Sequence, residues 1–493
     1  MNMKTHAYII ALFIPVALMV GCAIAPSRET TQSNTSTPVM EQNPMIPSFT
    51  PVILNNAPFP GTVILGRPTI YSITISLLTA AESEFFIQYG KNPGQYDALT
   101  DIAALKKDEP FEQTVTGLDK DSQYYYRICH RTAGETGFSA GAEGSFHTQR
   151  ATGESFVFTI DSDPHFDSNA DSEKLALTFQ NILNEHPDFN IDLGDTFMSE
   201  KLALQSYAQV ANNYANKRDY FGIFGSSVPL YLAIGNHDGE SGGALNGTEN
   251  NLAVWASKAR QLYYLNPSPD GFYSGDNKEA PFIGLRDNYY AWQWGDALFV
   301  VLDPYWYSAG VKGLSGWDVS LGKEQYDWLK STLETSTAKF KFVFAHNLIG
   351  GADMGTSGKS RGGVEAAAFF EWGGKNSDGT WGFNQYRPGW EKPIHQLLVD
   401  NHVTIFFHGH DHFFAIQELD GVVYQECPQP SANNDRNSAS TYGYINGVFM
   451  SSPGHLRITV TQNEITVDYI KTYLPTERGY NNGEIAYTYT ISR

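Results

Sequence analysis

The stretch NHVTIFFHGHDHFF, residues 401–414, joins the pattern of a buried strand to a dense group of metal-binding side chains. Its apolar part, Val403 to Phe407, has the length of one strand buried in a sheet. Where a turn residue and then solvent would normally follow, three histidines and an aspartate stand within five residues, His408 to His412. Crowded imidazoles are costly unless something binds their lone pairs, so the stretch predicts a ligand at the end of this strand.

Four apolar segments upstream lead into acids, amides or imidazoles in the same way. In an open α/β sheet the ligand crevice lies beyond the carboxyl ends of the strands, so five such ends would deliver their polar side chains to one place. A single fragment of this kind is more often a turn or a structural histidine, but five in order form a specific pattern. The segments and the residues that follow them are 156–160 with Asp161 to His165, 191–193 with Gly194-Asp195, 230–234 with Gly235-Asn236-His237-Asp238, and 340–344 with Ala345-His346.

The mixture of side chains predicts the kind of ligand. Carboxylate, amide and imidazole groups together suit borderline divalent metals such as Mn, Fe, Zn or Co. A carboxylate shared between two ions suits a pair of metals held about 3.5–4 Å apart. We therefore predict a two-metal site, with His410 and His412 projecting from a tight turn at Gly409 to reach two cations.

These five fragments resemble the calcineurin-like metallophosphoesterases. The motifs of that family run Asp-x-His, Gly-Asp-x-x, Gly-Asn-His-Asp/Glu, a lone histidine after a strand, and Gly-His-x-His. The chain has all five in that order, and the resemblance extends from about residue 155 to 470. The architecture is similar to that of the purple acid phosphatases, but that branch has Asp-x-Gly first and a tyrosine three residues after the bridging aspartate. Here His165 and Met198 stand at those positions, so no iron-tyrosinate colour is expected.

Carried over residue by residue, the resemblance implies two divalent or trivalent metal ions, Fe, Mn or Zn, bridged by Asp195. It also implies that His237 protonates the leaving oxygen and that Asp238 orients the ring of His237. Asp161 and His408 have no counterpart in the motif set and are expected to be structural or to support the ligands. The other implied ligands are Asp163, His165 and His412 on one ion, and Asn236, His346 and His410 on the second.

The N-terminal residues predict export. Residues 1–22 resemble a bacterial lipoprotein signal, with an apolar run from Ala7 to Val20 that is shorter than the ~20 residues of a membrane-spanning helix. Gly21-Cys22 follows, at which the signal would be cleaved and Cys22 lipidated, so the only membrane contact would be a lipid anchor in the bacterial cell envelope. The alternative is an ordinary secretory signal that is cut slightly later, which predicts a secreted protein.

At 493 residues the chain is too long for one compact core, and its composition divides the remainder into three parts. Residues 23–50 are rich in Ser, Thr and Pro and predict a disordered tether. Residues 51–150 contain short alternating strands and resemble a fibronectin type III or immunoglobulin-like β-sandwich. Residues 151–493 alternate strands and helices, and the resemblance implies a four-layer αββα metallophosphoesterase domain. The two further cysteines, Cys129 and Cys427, fall in different domains and are predicted to be buried thiols.

The net charge of −20 and a pI near 5.0 argue against nucleic acid or an anionic membrane as a partner. A small phosphorylated substrate is compatible with this charge, because bound metal ions override the global field locally. Lys359 and Arg361, in a Gly/Ser-rich insert, are either a clamp for substrate phosphate or solvated loop charges.

The resemblance implies an exported hydrolase that cleaves phosphate esters by attack of a metal-bound hydroxide. We expect phosphomonoesters as substrates, and phosphodiesters are the alternative because both reactions use the same machinery. A hypothesis of another class is a surface lipoprotein that holds a ligand on a degenerate, non-catalytic phosphoesterase body. The complete ligand set and the intact proton donor favour the hydrolase.

Overall fold

The computed structural model describes residues 51–167, 170–308, 316–348, 361–433 and 437–493. The predicted signal and tether, with Cys22, lie outside these ranges, and so does Lys359. Within the ranges, none of the helices combines the length and the hydrophobicity that a bilayer-spanning segment requires.

The first part of the described chain is a two-sheet β-sandwich, which confirms the predicted all-β domain. One sheet has the order β2-β3-β7, and the other has the order β1-β9-β8-β4-β5 with β6 also paired to β4. Apolar side chains at alternate positions, such as Ile73 and Ile75 of β3 and Phe85 and Ile87 of β4, fill the space between the sheets. The strands are β1 (Ile53–Asn56), β2 (Gly61–Gly66), β3 (Ser72–Thr79), β4 (Ser83–Gly90), β5 (Ala98–Leu99), β6 (Ala103–Leu105), β7 (Phe111–Thr116), β8 (Gln123–Thr132) and β9 (Phe138–His147).

The second part contains two more sheets, one of six strands and one of eight. The six-stranded sheet has the order β12-β11-β10-β21-β22-β23, and the eight-stranded sheet has the order β13-β14-β15-β16-β17-β19-β18-β20. The strands are β10 (Phe156–Asp161), β11 (Phe189–Asp192), β12 (Leu230–Leu232), β13 (Ser274–Gly275), β14 (Tyr290–Trp294), β15 (Ala297–Val301), β16 (Phe340–Phe344), β17 (Ile405–His408), β18 (Phe414–Leu419), β19 (Val422–Glu426), β20 (Val448–Met450), β21 (Gly454–Val460), β22 (Glu464–Lys471) and β23 (Ile485–Ser492).

Seven α-helices and three short 3-10 helices connect the strands of the described part. The α-helices are α1 (Ser172–Asn184), α2 (Tyr207–Gly225), α3 (Leu252–Tyr263), α4 (Lys323–Thr335), α5 (Phe370–Gly373), α6 (Phe383–Tyr386) and α7 (Ile394–Asp400); the 3-10 helices are Ser199–Lys201, Gly242–Ala244 and Gly316–Asp318. Helix α1 shows how the sequence sets such an element: the Asp171 carboxylate accepts hydrogen bonds from the amides of Glu173 and Lys174 at 3.0 and 3.1 Å, which caps the first turn.

The two sheets stack face to face through an aromatic core, and helices cover both outer faces. Phe158 of the six-stranded sheet meets Phe299 of the eight-stranded sheet edge to face, with ring centroids 5.1 Å apart. Helices α1, α2 and α3 pack on the outer face of the six-stranded sheet, and α4 and α7 on that of the eight-stranded sheet. The predicted four-layer αββα architecture is confirmed.

Arg218 of α2 fastens the β-sandwich to this body. Its guanidinium is fully buried and donates to Thr62 Oγ1 at 2.9 Å, to Ser76 Oγ at 3.1 Å and to the Ser76 carbonyl at 3.0 Å. It also donates to the carbonyl of Tyr263. Burial lowers the pKa of Arg218 to about 10, so the charge is kept at neutral pH by neutral oxygen acceptors from both parts of the chain.

Replacing Arg218 by Met should destabilise the protein by ~2–4 kcal/mol, because the buried Ser76 and Tyr263 carbonyls lose their donors while most of the side-chain volume is kept. The thermal midpoint, measured by differential scanning calorimetry, should fall by several degrees. Asn216→Ala changes an exposed position on the same helix and serves as the control. Equal midpoints for the two variants would show that Arg218 does not join the domains.

Candidate metal centre

The motif segments leave their strands through strained turns. Asp163, Asp195, His410 and His412 have φ values of 58°, 55°, 79° and 66°, and His165 has 42°. A non-glycine residue in this left-handed region costs about 1–3 kcal/mol, and such residues persist only where the surroundings enforce them. Here the turns redirect five side chains from the strand direction into one space.

Two glycines allow the segments to approach closely. A Cβ on Gly409 would lie 1.8 Å from Ser162 Oγ and 2.6 Å from Asp163 Oδ2. A Cβ on Gly235 would lie 2.0 Å from the backbone nitrogen of Asp195. The ends of β10 and β17, which belong to different sheets, therefore touch, and so do the segments that follow β11 and β12.

One group of ligand atoms surrounds Nε2 of His346. This nitrogen lies 3.2 Å from Asn236 Oδ1, 3.2 Å from His410 Nδ1 and 3.3 Å from Asp195 Oδ2. The other ring nitrogen, Nδ1, lies 3.0 Å from the Leu193 carbonyl and can only donate to it. In the neutral ring Nε2 then carries a lone pair, so several lone pairs converge on one point.

A second group surrounds Oδ1 of Asp163. His412 Nε2 lies 3.2 Å from this oxygen, and His165 Nε2 lies 3.5 Å from it. His165 Nε2 is also 3.7 Å from Asp195 Oδ2. The same Asp195 oxygen thus faces both groups, which is the arrangement expected of a carboxylate that bridges two ions.

The buried atoms that face the two groups lack partners within the described ranges. Asp163 Oδ1, Asp195 Oδ2 and both ring nitrogens of His165 form no hydrogen bond there. The opposite oxygens are occupied: Asp163 Oδ2 accepts from Ser162 Oγ at 2.6 Å and from the His410 amide at 2.8 Å. Each carboxylate is therefore oriented through one oxygen and offers the other, and the residues fit two cations.

The electrostatics also favour positive charge. Burial by itself would raise the pKa of Asp163 and Asp195, but neighbouring imidazoles hold both well below the usual range. Burial would lower the pKa of His346, yet Asp195 and Asp163 outweigh it and raise that pKa to about 9. Both carboxylates are consequently ionised over the working pH range, and their field attracts cations.

His237 lies at the edge of the groups and is 21% exposed. Its Nε2 is 3.9 Å from Asp195 Oδ2, and its Nδ1 is 2.5 Å from Glu200 Oε1. A proton on Nδ1 is held by Glu200, which turns Nε2 towards the ligand groups.

This geometry corrects the expectation that Asp238 orients the His237 ring. The Asp238 carboxylate accepts hydrogen bonds from four backbone amides instead, those of Asp195, Thr196, Phe197 and Gly235, at 2.7–3.0 Å. Asp238 therefore shapes the turn that carries the bridging carboxylate, and Glu200 takes the orienting role. The sequence contains no signal for Glu200, because it stands five residues after Asp195 and outside the motif.

Arg361 lies behind the Gly-His-Asp-His turn. It donates to the His410 carbonyl and, at 3.0 Å, to Asp411 Oδ1, and it stacks on the Tyr442 ring at 4.5 Å. With 14% of its side chain exposed, it is not a solvated loop charge. Its contacts secure the turn that presents the last two ligands.

Asp161 and His408 lie outside both ligand groups. Asp161 Oδ1 accepts from the side-chain amide of Asn190 at 2.6 Å, and burial raises the pKa of Asp161 to about 6. His408 Nδ1 is 2.7 Å from Glu426 Oε2. Burial lowers the pKa of His408 to about 3 and raises that of Glu426.

Comparison with known proteins identifies the family. The model for the calcineurin-like phosphoesterases matches residues 156–414. The chain belongs to the calcineurin-like phosphoesterase family. No curated protein matches it in a sequence search.

Two solved structures are similar to this family member in fold. PhoD has a TM-score of 0.62 at 15% sequence identity, covering 89% of this chain and 91% of its own. The purple acid phosphatase PPD1 from yellow lupin (Lupinus luteus) seeds has a TM-score of 0.57 at 16% identity, covering 89% of this chain and 75% of its own. Identities this low show the shared fold alone.

Replacing Gly409 by Ala should weaken metal binding by ~10–100-fold although no ligand is changed, because the added Cβ displaces Ser162 and Asp163. Metal content after dialysis, measured by inductively coupled plasma mass spectrometry, checks this. Gly222→Ala is the control, since its Cβ would lie in ordinary van der Waals contact with the Thr62 side chain, 3.7 Å from Cγ2 and 3.8 Å from Cβ. Retention of metal by Gly409→Ala equal to that of the control would contradict the close approach.

Proposed function

We propose that this phosphoesterase family member is an exported two-metal hydrolase of phosphate esters, with phosphomonoesters as its preferred substrates. The observation that carries the proposal is the position of Asp195 Oδ2, which lies 3.3 Å from His346 Nε2 and 3.7 Å from His165 Nε2 and so faces both ligand groups. The similarity in fold to a purple acid phosphatase supports a phosphatase. The lipoprotein-like residues 1–22 support export to the cell envelope.

Asp163, His165 and His412 would hold one cation, Asn236, His346 and His410 the other, and Asp195 both. Two cations bound there would supply charge for the phosphoryl oxygens and a water of near-neutral pKa. Asp195 sets the distance between the two groups, and the strained turns hold the remaining ligands in a fixed orientation.

His237 would protonate the leaving oxygen. Its Nε2 faces the ligand groups while Glu200 holds Nδ1, so a proton on Nε2 points towards bound substrate. Because Asn236 and His237 are neighbours in one turn, the same backbone positions a ligand and the proton donor. This pairing supports turnover rather than non-catalytic binding.

The proposal is tested with a panel of phosphomonoesters and phosphodiesters, assayed with Mn²⁺, Zn²⁺ or Fe and with metal analysis. Asp195→Ala should lose metal and activity together, by more than ~100-fold, because the shared ligand of both groups is removed. Asp219→Ala, an exposed carboxylate on α2, is the control. Activity that survives both chelation and Asp195→Ala would exclude a two-metal hydrolase, and faster turnover of diesters would exclude the substrate preference.

His237→Ala should keep its metals but slow alkyl phosphates by ~10²–10⁴-fold and nitrophenyl phosphates much less, because a good leaving group needs no proton. The comparison of kcat for the two ester classes, with metal content measured in parallel, checks the role. Equal slowing of both classes would contradict it.

Glu200→Ala should shift the ratio of alkyl to nitrophenyl rates in the same direction as His237→Ala but by a smaller factor, since Glu200 acts only through the ring of His237. Glu200→Gln retains an acceptor for Nδ1 and should restore part of the ratio. A uniform loss in both ester classes, without rescue by Gln, would assign Glu200 a structural role.

A further inference from the structure

The strand β23 leaves an open edge on the six-stranded sheet. It is the last strand in the sheet order and pairs with β22 alone among the described strands. Its eight residues, IAYTYTIS, contain no charged side chain and no proline. Exposed edges are normally blunted by charge, proline or short length, and the other edge of this sheet, β12, has only three residues.

The hydrogen bond of the residue that follows β23 shows which backbone amides and carbonyls of the strand bond to β22 and which face away from it. The amide of Arg493 donates to the carbonyl of Asn463 at 3.1 Å. Because the two sides of an antiparallel strand alternate, residues 487, 489 and 491 bond to β22. The amides and carbonyls of Thr488, Thr490 and Ser492 therefore face away from the sheet, in the regular part of the strand beyond a register shift near residue 486.

The sequence of β23 is nearly symmetric about Thr488. Tyr487 and Tyr489 flank it, and Ile485 and Ile491 stand three residues away on either side. A strand of this kind is complementary to itself when a second copy runs antiparallel, because threonine then meets threonine, tyrosine meets tyrosine and isoleucine meets isoleucine, and within residues 485–491 only Ala486 and Thr490 meet a different side chain. Thr488, at the centre, has its backbone groups directed outwards, as the central pair of such an arrangement requires.

We propose that β23 pairs with β23 of a second copy of this chain, antiparallel about a two-fold axis at Thr488. The two Thr488 residues form a hydrogen-bonded pair across the axis, and the sheets of both copies become continuous. Tyr487 of each copy stands opposite Tyr489 of the second copy in a non-hydrogen-bonded pair, where cross-strand side chains are closest.

Charge favours a second copy at this edge although the chain carries a net charge of −20. The strand itself is uncharged. The nearest acid, Asp468 of β22, is paired with Arg457 at 2.8 Å and accepts a hydrogen bond from Thr488 Oγ1 at 2.7 Å. Glu484 precedes the strand and Arg493 follows it, so antiparallel pairing puts the acidic end of each copy beside the basic end of the second.

The dimer is expected to be reversible. Strand pairing alone buries less than the ~1,200 Å² of a standard stable interface, so we expect a weak dimer that dissociates on dilution. Thr488 lies on the exposed face and is far from the ligand groups in sequence and in sheet order, so its substitution leaves the proposed metal centre untouched.

Sedimentation velocity over a concentration series tests the proposal. Wild type and Thr488→Val should dimerise alike, whereas Thr488→Lys and Thr488→Glu should each weaken association at least ~10-fold, because like charges meet across the axis. An equimolar mixture of the Lys and Glu variants should restore the dimer, since only a two-fold at residue 488 sets the two substitutions opposite each other. Thermal midpoints are measured to establish that all variants are folded.

Three results would overturn it. Wild type that stays monomeric throughout the series excludes the dimer. Dimers of both Thr488→Lys and Thr488→Glu as tight as those of wild type exclude this edge, because Asp468 beside residue 488 offsets the charge of a lysine but adds to that of a glutamate. If wild type dimerises but the mixture of Thr488→Lys and Thr488→Glu does not, the two-fold axis does not pass through residue 488 and the proposed register is excluded.

Discussion

The shared carboxylate of Asp195 is the constraint on which the arrangement of the site depends. One of its oxygens accepts the His237 amide at 2.6 Å, and the other faces ligand atoms from both groups. Asp238 fixes the turn that carries it through four backbone amides. A buried carboxylate without such support would recover its solvation by protonation or movement. The neighbouring imidazoles keep Asp195 ionised, and the turn fixed by Asp238 keeps it in place.

The aromatic core between the sheets determines the metal centre indirectly. Three ligand-bearing strands, β10, β11 and β12, belong to the six-stranded sheet, and two, β16 and β17, belong to the eight-stranded sheet. Stacked sheets lie about 10 Å apart, a spacing that side chains such as Phe158 and Phe299 set by filling the gap. The ligand atoms meet because two apolar layers pack at the right distance, so hydrophobic packing and metal geometry are coupled.

Predictions from the sequence were correct where the residues that determine a feature lie in one short, contiguous segment. The strand ends and the order of the motifs follow from apolar runs that stop at acids and imidazoles. The αββα architecture was implied by the family resemblance, and the comparisons confirm the fold. Predictions were wrong where the role of a residue depends on the direction in which its side chain points. Asp238 stands beside His237 in sequence, but its carboxylate points towards the Asp195 turn, and Glu200 reaches the ring. Arg361 likewise fits the pattern of a solvated charge in a loop, yet its side chain is buried against Asp411.

The sequence by itself determined which side chains are available to bind cations and at which strand ends they stand, because those properties are local. Only the tertiary structure decided which of them meet. His410 and Asp163 are 247 residues apart, and the amide of the first donates to the carboxylate of the second at 2.8 Å. A single open sheet would have aligned these groups along one edge, whereas two sheets stacked across an aromatic core bring them face to face. Contacts between distant segments depend on how the layers pack, and no local pattern encodes that packing.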